Sequence, residues 1–250
     1  MTKIQKDIII FDLDGTLTVS KQNLSYDMAE LLKKLTRDYL VAVISGGFFE
    51  QYQKQFLSNL KATNEELNRL ILLPTSGTTM YKFINNSWQE IYCHEIPKEE
   101  RARIISILED TINHFNLKPK KQWGDLIEDR KTQITYSGLG QEASPELKKE
   151  WDPTREKRTS IVNYIENKIG NYSIGIGGMT SIDITNVGID KAYGIKKIEE
   201  YFDIPIERMV FVGDALQEGG NDAPARTTGV DCVEVSGPED TKKYIESILG

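Results

Sequence analysis

Residues 8–16 read Ile8-Ile9-Ile10-Phe11-Asp12-Leu13-Asp14-Gly15-Thr16. Four apolar residues run straight into an aspartate, and a second aspartate follows two positions later. So short an unbroken apolar run fits a strand buried on both faces, as in a parallel sheet covered by helices. Carboxylates two positions apart at a strand end point the same way, so both can reach one cation and one substrate group. Like charges that close repel unless a hard divalent cation with oxygen ligands offsets them. Gly15 lets the backbone turn sharply and aim its N–H groups at an anion. The bland alternative is a surface Asp-Gly turn. A buried run that ends on acids argues against it.

Two more runs share the pattern. Val41–Ile44 leads to Ser45-Gly46-Gly47, and Met209–Val212 leads to Gly213-Asp214, with Gly219-Gly220-Asn221-Asp222 just beyond. Met28, Leu31, Leu32 and Leu35 predict a helix over Tyr26–Leu35, with Ser25 as its N-cap. Near the end, Val230–Val235 and a helix over Pro238–Leu249 repeat the order. Strand, helix and strand in succession predict an α/β sheet with its active groups at the strand C-termini.

The middle of the chain reads differently. A helix over Glu99–Phe115 carries Ile104, Ile105, Leu108, Ile112 and Phe115 on one stripe. Short strands are expected at Leu126–Asp129 and Gln133–Tyr136, then a helix over Thr154–Ile169, then strands at Tyr172–Ile176 and Ser181–Ile184. This predicts a small α+β insert over 85–186, dividing the core into 1–84 and 187–250. Asn85-Asn86 reads as a hairpin turn, with hinges expected near Asn85 and Asn186. Trp88, Trp123 and Trp151 all fall inside the insert, with packing as their default role and the lining of a cleft as the alternative for one of them.

Asp214 and Asp222 can join Asp12 in a magnesium site that also meets a substrate phosphate. A glycine loop with solvated charges explains 213–222 equally well in isolation. The Ser45 hydroxyl and the Gly46 backbone can hold a phosphoryl oxygen, although Ser-Gly is also a common turn. Lys191 precedes a helix in Gly188-Ile189-Asp190-Lys191 and can neutralise a phosphoryl group. Taken alone it reads first as a solvated lysine. His94 and His114 show no catalytic pattern, and with Cys93 and Cys232 they make no zinc spacing. The two thiols read as buried small hydrophobes in a reducing compartment.

The whole chain has 250 residues, 39% apolar and 28% charged, which leaves material for a real core. A net charge of -7, without a basic patch, argues against nucleic-acid binding. No apolar run reaches the length of a membrane span, and Met1–Lys6 leads into the first strand without a signal-like stretch, so a cytoplasmic location is expected.

Asp12-Leu13-Asp14-Gly15-Thr16, Ser45, Lys191 and the Asp214–Asp222 loop resemble, in order, the four motifs of the haloacid-dehalogenase-like superfamily. Within it the chain is most similar to the eukaryotic-type α-phosphomannomutases. That likeness rests on 11–18, on Gly177-Gly178-Met179-Thr180-Ser181-Ile182-Asp183, on 188–191, on 213–222 and on Pro238-Glu239-Asp240-Thr241. The resemblance implies a Rossmann-like core with an inserted α+β cap that closes as a lid. It implies Asp12 as a nucleophile that forms an aspartyl-phosphate, and Asp14 as general acid and then base. Ser45 and Lys191 would hold the transferred phosphoryl group. Asp12, Asp214 and the backbone carbonyl of Asp14 would bind Mg2+, with Asp222 in support. Ser181 and Asp183 would reach the hydroxyls of a hexose phosphate or similar small metabolite. The family's mutases pair through their caps, so a cap-mediated homodimer is implied, and the Glu99–Phe115 stripe fits that interface or the cap's own core.

One departure from the family bears on the reaction. The family grips the non-transferred phosphate with several arginines. Here Arg130 matches one, Lys21 and Lys148 stand in place of two others, and Gln141 replaces a fourth. Arginine offers a rigid bidentate fork, lysine a flexible point charge and glutamine no charge. A mutase must keep hold of a bisphosphate while it turns over. The weakened clamp therefore tilts the expectation to hydrolysis of a sugar phosphate, with interconversion of mannose 6-phosphate and mannose 1-phosphate as the alternative. A binding protein that kept the fold and lost the chemistry is disfavoured, because every reactive position holds a competent residue.

Overall fold

Ile8–Asp12 forms β1, buried along its whole length. It begins a first unit that continues through α1 (Tyr26–Leu35), β2 (Leu40–Ile44), and the short helices α2 (Phe49–Tyr52) and α3 (Ser58–Leu60), joined by a π turn over Gln53–Leu57. Next come α4 (Asn64–Asn68), β3 (Leu70–Leu73), β4 (Thr79–Ile84) and β5 (Ser87–Cys93). A second unit contains α5 (Lys98–His114), β6 (Ile127–Asp129), β7 (Gln133–Ser137), α6 (Pro145–Trp151), α7 (Glu156–Ile169), β8 (Tyr172–Gly177) and β9 (Ser181–Asn186). The chain returns to the first unit with α8 (Lys191–Phe202), β10 (Met209–Gly213), β11 (Asp231–Glu234) and α9 (Pro238–Leu249). This computed structural model describes residues 6–19 and 22–250. Lys21, expected at the phosphate clamp, lies outside the described residues.

The first unit, Met1–Cys93 with Ile189–Gly250, is built on a seven-stranded sheet ordered β11-β10-β1-β2-β3-β4-β5. The strands from β11 to β3 pair in parallel, and β4 and β5 add antiparallel edges. Side chains alternate across the pleat and fill both faces. Ile9, Phe11, Val41, Val43, Leu70, Leu72, Val210 and Val212 pack with Met28, Leu32 and Leu35 of α1 and Ile245 of α9. Ile8, Ile10, Ala42, Ile44, Ile71, Leu73, Met209 and Phe211 pack with Ile195 and Ile198 of α8. Each fully buried Val, Leu, Ile, Phe or Met side chain among them contributes about 1.5–3 kcal/mol. Ser25 caps α1 as its sequence predicts, accepting from Met28 N at 3.4 Å.

The second unit, His94–Gly188, is a four-stranded antiparallel sheet ordered β6-β7-β9-β8 with α5 and α7 on one face. Ile134, Tyr136, Ile182 and Ile184 point at Ile104, Leu108 and Ile112 of α5 and at Ile161, Ile165 and Ile169 of α7. The helix stripe therefore serves this core. By the same alternation the opposite face is polar, carrying Gln133, Thr135 and Ser137 beside Ser181, Asp183 and Thr185. An α/β core and an α+β insert, the fold class expected from the sequence, account for both units.

Several boundaries differ from expectation. Asn85 and Asn86, at φ 51° and 62°, do form a hairpin turn, but it joins β4 to β5 inside the large sheet. The division accordingly falls after Cys93 and after Gly188. Trp88 thus belongs to the first unit, where it packs edge-on against Phe83 and Phe49. Helix α7 starts at Glu156 because Arg155 sits in the left-handed region at φ 64°. Cys93 and Cys232 are half-buried rather than buried and form no disulfide. His114 closes α5 and stacks on Tyr164, which gives it a packing role. Among the described residues no helix is long and apolar enough to cross a membrane.

Candidate functional site

Strand register gathers the first unit's chemistry at one sheet edge. Asp12 pairs level with Ile44 and Phe11 with Val212, so Asp12, Ser45 and Gly213-Asp214 all emerge together. Asp190 caps α8 by accepting from Tyr193 N at 3.0 Å, which leaves Lys191 as the first residue of the helix. Lys191 is buried, contrary to its solvated reading. Its Nζ donates to Asp12 Oδ1 and to the Ile44 carbonyl at 2.7 Å, and lies 3.4 Å from Asp222 Oδ1.

The acids are brought close by glycines. Gly15 has φ +99°, and a Cβ there would lie 2.5 Å from Asp214 Oδ2. A Cβ on Gly213 would lie 2.5 Å from Asp222 Oδ2. The loop between Asp214 and Asp222 is closed from both sides: Ala215 N donates to Asp222 Oδ2 and Asp222 N to the Ala215 carbonyl, each at 3.1 Å. Thr16 Oγ1 donates to Asp214 Oδ1 at 3.1 Å, and Thr241 Oγ1 holds the Thr16 carbonyl at 2.8 Å. Thr16 is therefore a positioning residue that its motif carried without an assigned role.

Among the described residues, one ammonium faces three acids. Burial lifts Asp12 from 3.8 to about 7; Lys191 opposes this, while Asp222 and Asp214 reinforce it. Burial, then Asp222, also raises Asp214. Burial works to lower Lys191, but Asp12 and Asp222 outweigh it and hold the lysine protonated. Carboxylate oxygens of Asp12, Asp214 and Asp222 lie within 4.8 Å of one another. Asp222 Oδ1 is buried with no hydrogen bond, the Lys191 ammonium standing 3.4 Å away as its ion-pair partner. Opposite oxygens around an octahedral Mg2+ stand about 4 Å apart, and such ions prefer all-oxygen ligands. The donor set, the excess negative charge and an Asp222 oxygen that makes no hydrogen bond all fit a hard divalent cation.

The Asp14 carboxylate is not part of that cluster and is met by two amides. Gln55 Nε2 donates to its Oδ1 at 2.9 Å and Gln51 Nε2 approaches its Oδ2 at 3.4 Å. Ser45 is buried, and its Oγ accepts from Gly47 N at 3.2 Å; beside Gly46 the position a Cβ would take is open. Gln51 and Gln55 are site residues that sequence patterning missed.

In the second unit, Asp183 Oδ1 accepts from Gln133 Nε2 at 2.8 Å and Thr135 Oγ1 at 2.7 Å. A Cβ on Gly177 would stand 2.6 Å from Asp183 Oδ2, so this glycine makes room for the carboxylate. Ser181 lies on the same face of β9. Arg130 donates through Nε and NH2 to Glu128 Oε2 at 3.0 and 2.6 Å. Lys148 is buried, and its Nζ donates to the Gln141 carbonyl at 2.6 Å. The Gln141 amide nitrogen is buried without a hydrogen-bond partner. Arg158, which sequence patterning also missed, pairs with Asp152 at 2.8 Å and holds the Gly177 and Gly178 carbonyls at 3.2 and 2.9 Å.

Comparison with known proteins is consistent with this geometry. The chain is 27% identical to phosphomannomutase of Schizosaccharomyces pombe, covering 99% of this chain and 96% of that protein. It is 28% identical to phosphomannomutase of Spinacia oleracea, covering 97% and 95%. Among solved structures, the Plasmodium falciparum IMP-nucleotidase matches with a TM-score of 0.72 at 20% identity, covering 99% of this chain and 63% of that one. A haloacid dehalogenase-like hydrolase from Bacteroides thetaiotaomicron matches with a TM-score of 0.67 at 15% identity, covering 97% and 99%. These two likenesses speak to fold. The profile of the eukaryotic phosphomannomutases matches residues 28–250. The chain is a phosphoryl-transfer enzyme, phosphatase or mutase, and belongs to the eukaryotic phosphomannomutase family.

Proposed function

We propose that the protein is a hexose-phosphate mutase that shuttles a phosphoryl group through Asp12. The observation that carries this reading is the family match over residues 28–250, with relatives named phosphomannomutase aligned nearly end to end. It favours interconversion of mannose 6-phosphate and mannose 1-phosphate over the hydrolysis that the altered clamp suggested. The Gln141 amide points the same way: a buried donor without an acceptor suits a phosphate oxygen, so this position is not lost to anion binding.

Asp12 attacks phosphorus and carries the phosphoryl group as an aspartyl-phosphate, dividing one displacement into two. Lys191 holds Asp12 in line and meets the growing negative charge with its ammonium. The Ser45 hydroxyl and Gly46 backbone offer donors to the phosphoryl oxygens. Asp14 protonates the departing sugar oxygen and removes the proton from the next attacking hydroxyl. Asp12, Asp214 and Asp222 would hold Mg2+, which supplies the positive charge that offsets the phosphate. Arg130, Gln141 and Lys148 bind the second phosphate, and Ser181 and Asp183 the sugar hydroxyls. Retaining the bisphosphate until it presents its other end makes the cycle a mutase.

The test is turnover of mannose and glucose 1- and 6-phosphates with Mg2+, with and without a hexose bisphosphate. Isomerised sugar phosphate in excess of free phosphate, rising with the bisphosphate, is expected. Release of phosphate alone would return the protein to hydrolysis.

A further inference from the structure

The Asp14 carboxylate is gripped by two amides that act as a chain. Gln55 Nε2 donates to Asp14 Oδ1 at 2.9 Å and to Thr18 Oγ1 at 2.8 Å. Gln51 Nε2 donates to Gln55 Oε1 at 2.9 Å and approaches Asp14 Oδ2 at 3.4 Å. Thr18 Oγ1 in turn donates to the Leu13 carbonyl at 3.2 Å, tying the chain back to the loop that carries Asp14. Gln55 is only 4% exposed. A buried amide is costly unless both its donor and its acceptor sides are used, and here both are.

The backbone is shaped around this pair. Gln55 lies in the π turn Gln53–Leu57, a widened turn of a kind found mostly at functional sites. Leu24 N donates to the Gln55 carbonyl at 2.8 Å and so anchors that turn. A Cβ on Gly47 would stand 2.6 Å from Gln51 Oε1, so the glycine after Ser45-Gly46 clears the space that Gln51 fills.

We propose that Gln51 and Gln55 are positioning residues for Asp14, fixing its carboxylate so that its proton is delivered along one line to the sugar oxygen. The proposal rests on the reading of Asp14 as the acid–base group. Amides suit the task because they add no charge that would compete with Lys191 for the phosphate. An amide also offers a donor to a carboxylate and an acceptor to a carboxylic acid. Asp14 takes one proton from the attacking hydroxyl and gives one to the departing oxygen, while Gln55 Nε2 keeps its Oδ1 in place and Gln51 Nε2 holds Gln55. The proton count closes over the cycle.

The experiment replaces Gln55 and Gln51 singly by leucine in the full chain and compares two phosphate esters at saturating Mg2+. One is an aryl phosphate whose acidic phenol leaves unaided; the other is a hexose 6-phosphate whose alkoxide needs a proton. General acid catalysis contributes about 10²–10⁴-fold, so partial loss of its aim is expected to lower kcat/KM for the hexose ester about 10- to 100-fold in Gln55→Leu. The aryl ester is expected to change much less, and Gln51→Leu to follow in the same direction with a smaller factor. The Mg2+ concentration for half-activation is expected to stay as in the parent. Equal losses on both esters, or a shifted Mg2+ requirement, would overturn the proposal. If Gln55→Leu fails to fold, Gln51→Leu, at a half-buried position, carries the test alone. Asp14→Asn is the reference. If it is itself unselective between the esters, the acid–base reading fails; if it is selective and the glutamine variants are not, only the positioning role fails.

Discussion

Replacing Lys191 by methionine removes an ammonium from a buried cluster of acids while keeping most of the side-chain volume. In the parent, Lys191 Nζ bonds Asp12 Oδ1 and the Ile44 carbonyl and lies 3.4 Å from Asp222 Oδ1. Both acids are nearly inaccessible, so neither can turn to water. Removing one partner of a buried ion pair costs about 3–5 kcal/mol, because the remaining charge is left uncompensated. For a chain of this size each kcal/mol moves the melting temperature by about 2–4 °C, so a fall of about 6–20 °C is expected in EDTA. A divalent cation restores positive charge to the same acids. At a hundred times its dissociation constant, a ligand adds about 2.7 kcal/mol. The gain is expected to be larger in Lys191→Met than in the parent, because the ammonium no longer repels the cation. Differential scanning calorimetry in EDTA and in Mg2+ measures both effects, and turnover is expected to be lost in either buffer. A variant that melts within about 2 °C of the parent in EDTA, or gains nothing from Mg2+, would refute the reasoning.

Three other substitutions test separate parts of the account. Gly177→Ala places a Cβ 2.6 Å from Asp183 Oδ2 and should push that carboxylate off Gln133 and Thr135. Steady-state kinetics should show KM for the hexose phosphate rising about tenfold with kcat little changed; an unchanged KM contradicts a sugar-binding role. Arg158→Met breaks a pair in which both side chains are 2% exposed, and urea unfolding should report a loss of about 3–5 kcal/mol. A loss under about 1 kcal/mol would show that the pair does not hold the turn at Gly177-Gly178. Gln141→Arg adds a charged donor to the proposed second phosphate site, and the ratio of isomerised sugar to free phosphate should rise about 10- to 100-fold. An unchanged ratio means that Gln141 does not decide the fate of the bisphosphate.

The strand-end residues were legible because their signal is local. Asp12, Ser45 and Asp214 each follow an apolar run that ends at a turn, and parallel pairing places such ends together. The burial of Lys191 was not legible from its neighbours, since the Asp190 cap and contacts with Asp12, the Ile44 carbonyl and Asp222, the first two distant in sequence, pull it inside. Gln51 and Gln55 gave no signal: helical spacing of glutamines is unremarkable, and their partner Asp14 lies far away in sequence. The first domain boundary was misplaced because β5 is a half-exposed edge strand whose polar residues mimic an insert. Helix α6 was overlooked because Glu146, Lys149 and Glu150 give it little apolar periodicity, although Ser144-Pro145 is a sound helix start. Within that helix Lys148 proved to be buried against the Gln141 carbonyl, a contact across a loop that spacing does not reveal.

The central claim is that Asp12 carries the phosphoryl group. The direct measurement is mass spectrometry of peptides from enzyme quenched in acid after brief exposure to a hexose bisphosphate and Mg2+. The account predicts one phosphoryl group on the peptide containing Asp12 in the parent, and none on that peptide in folded Asp12→Asn, which should have no turnover. Turnover that proceeds with no phosphoryl group on Asp12, or that survives in Asp12→Asn, would contradict it.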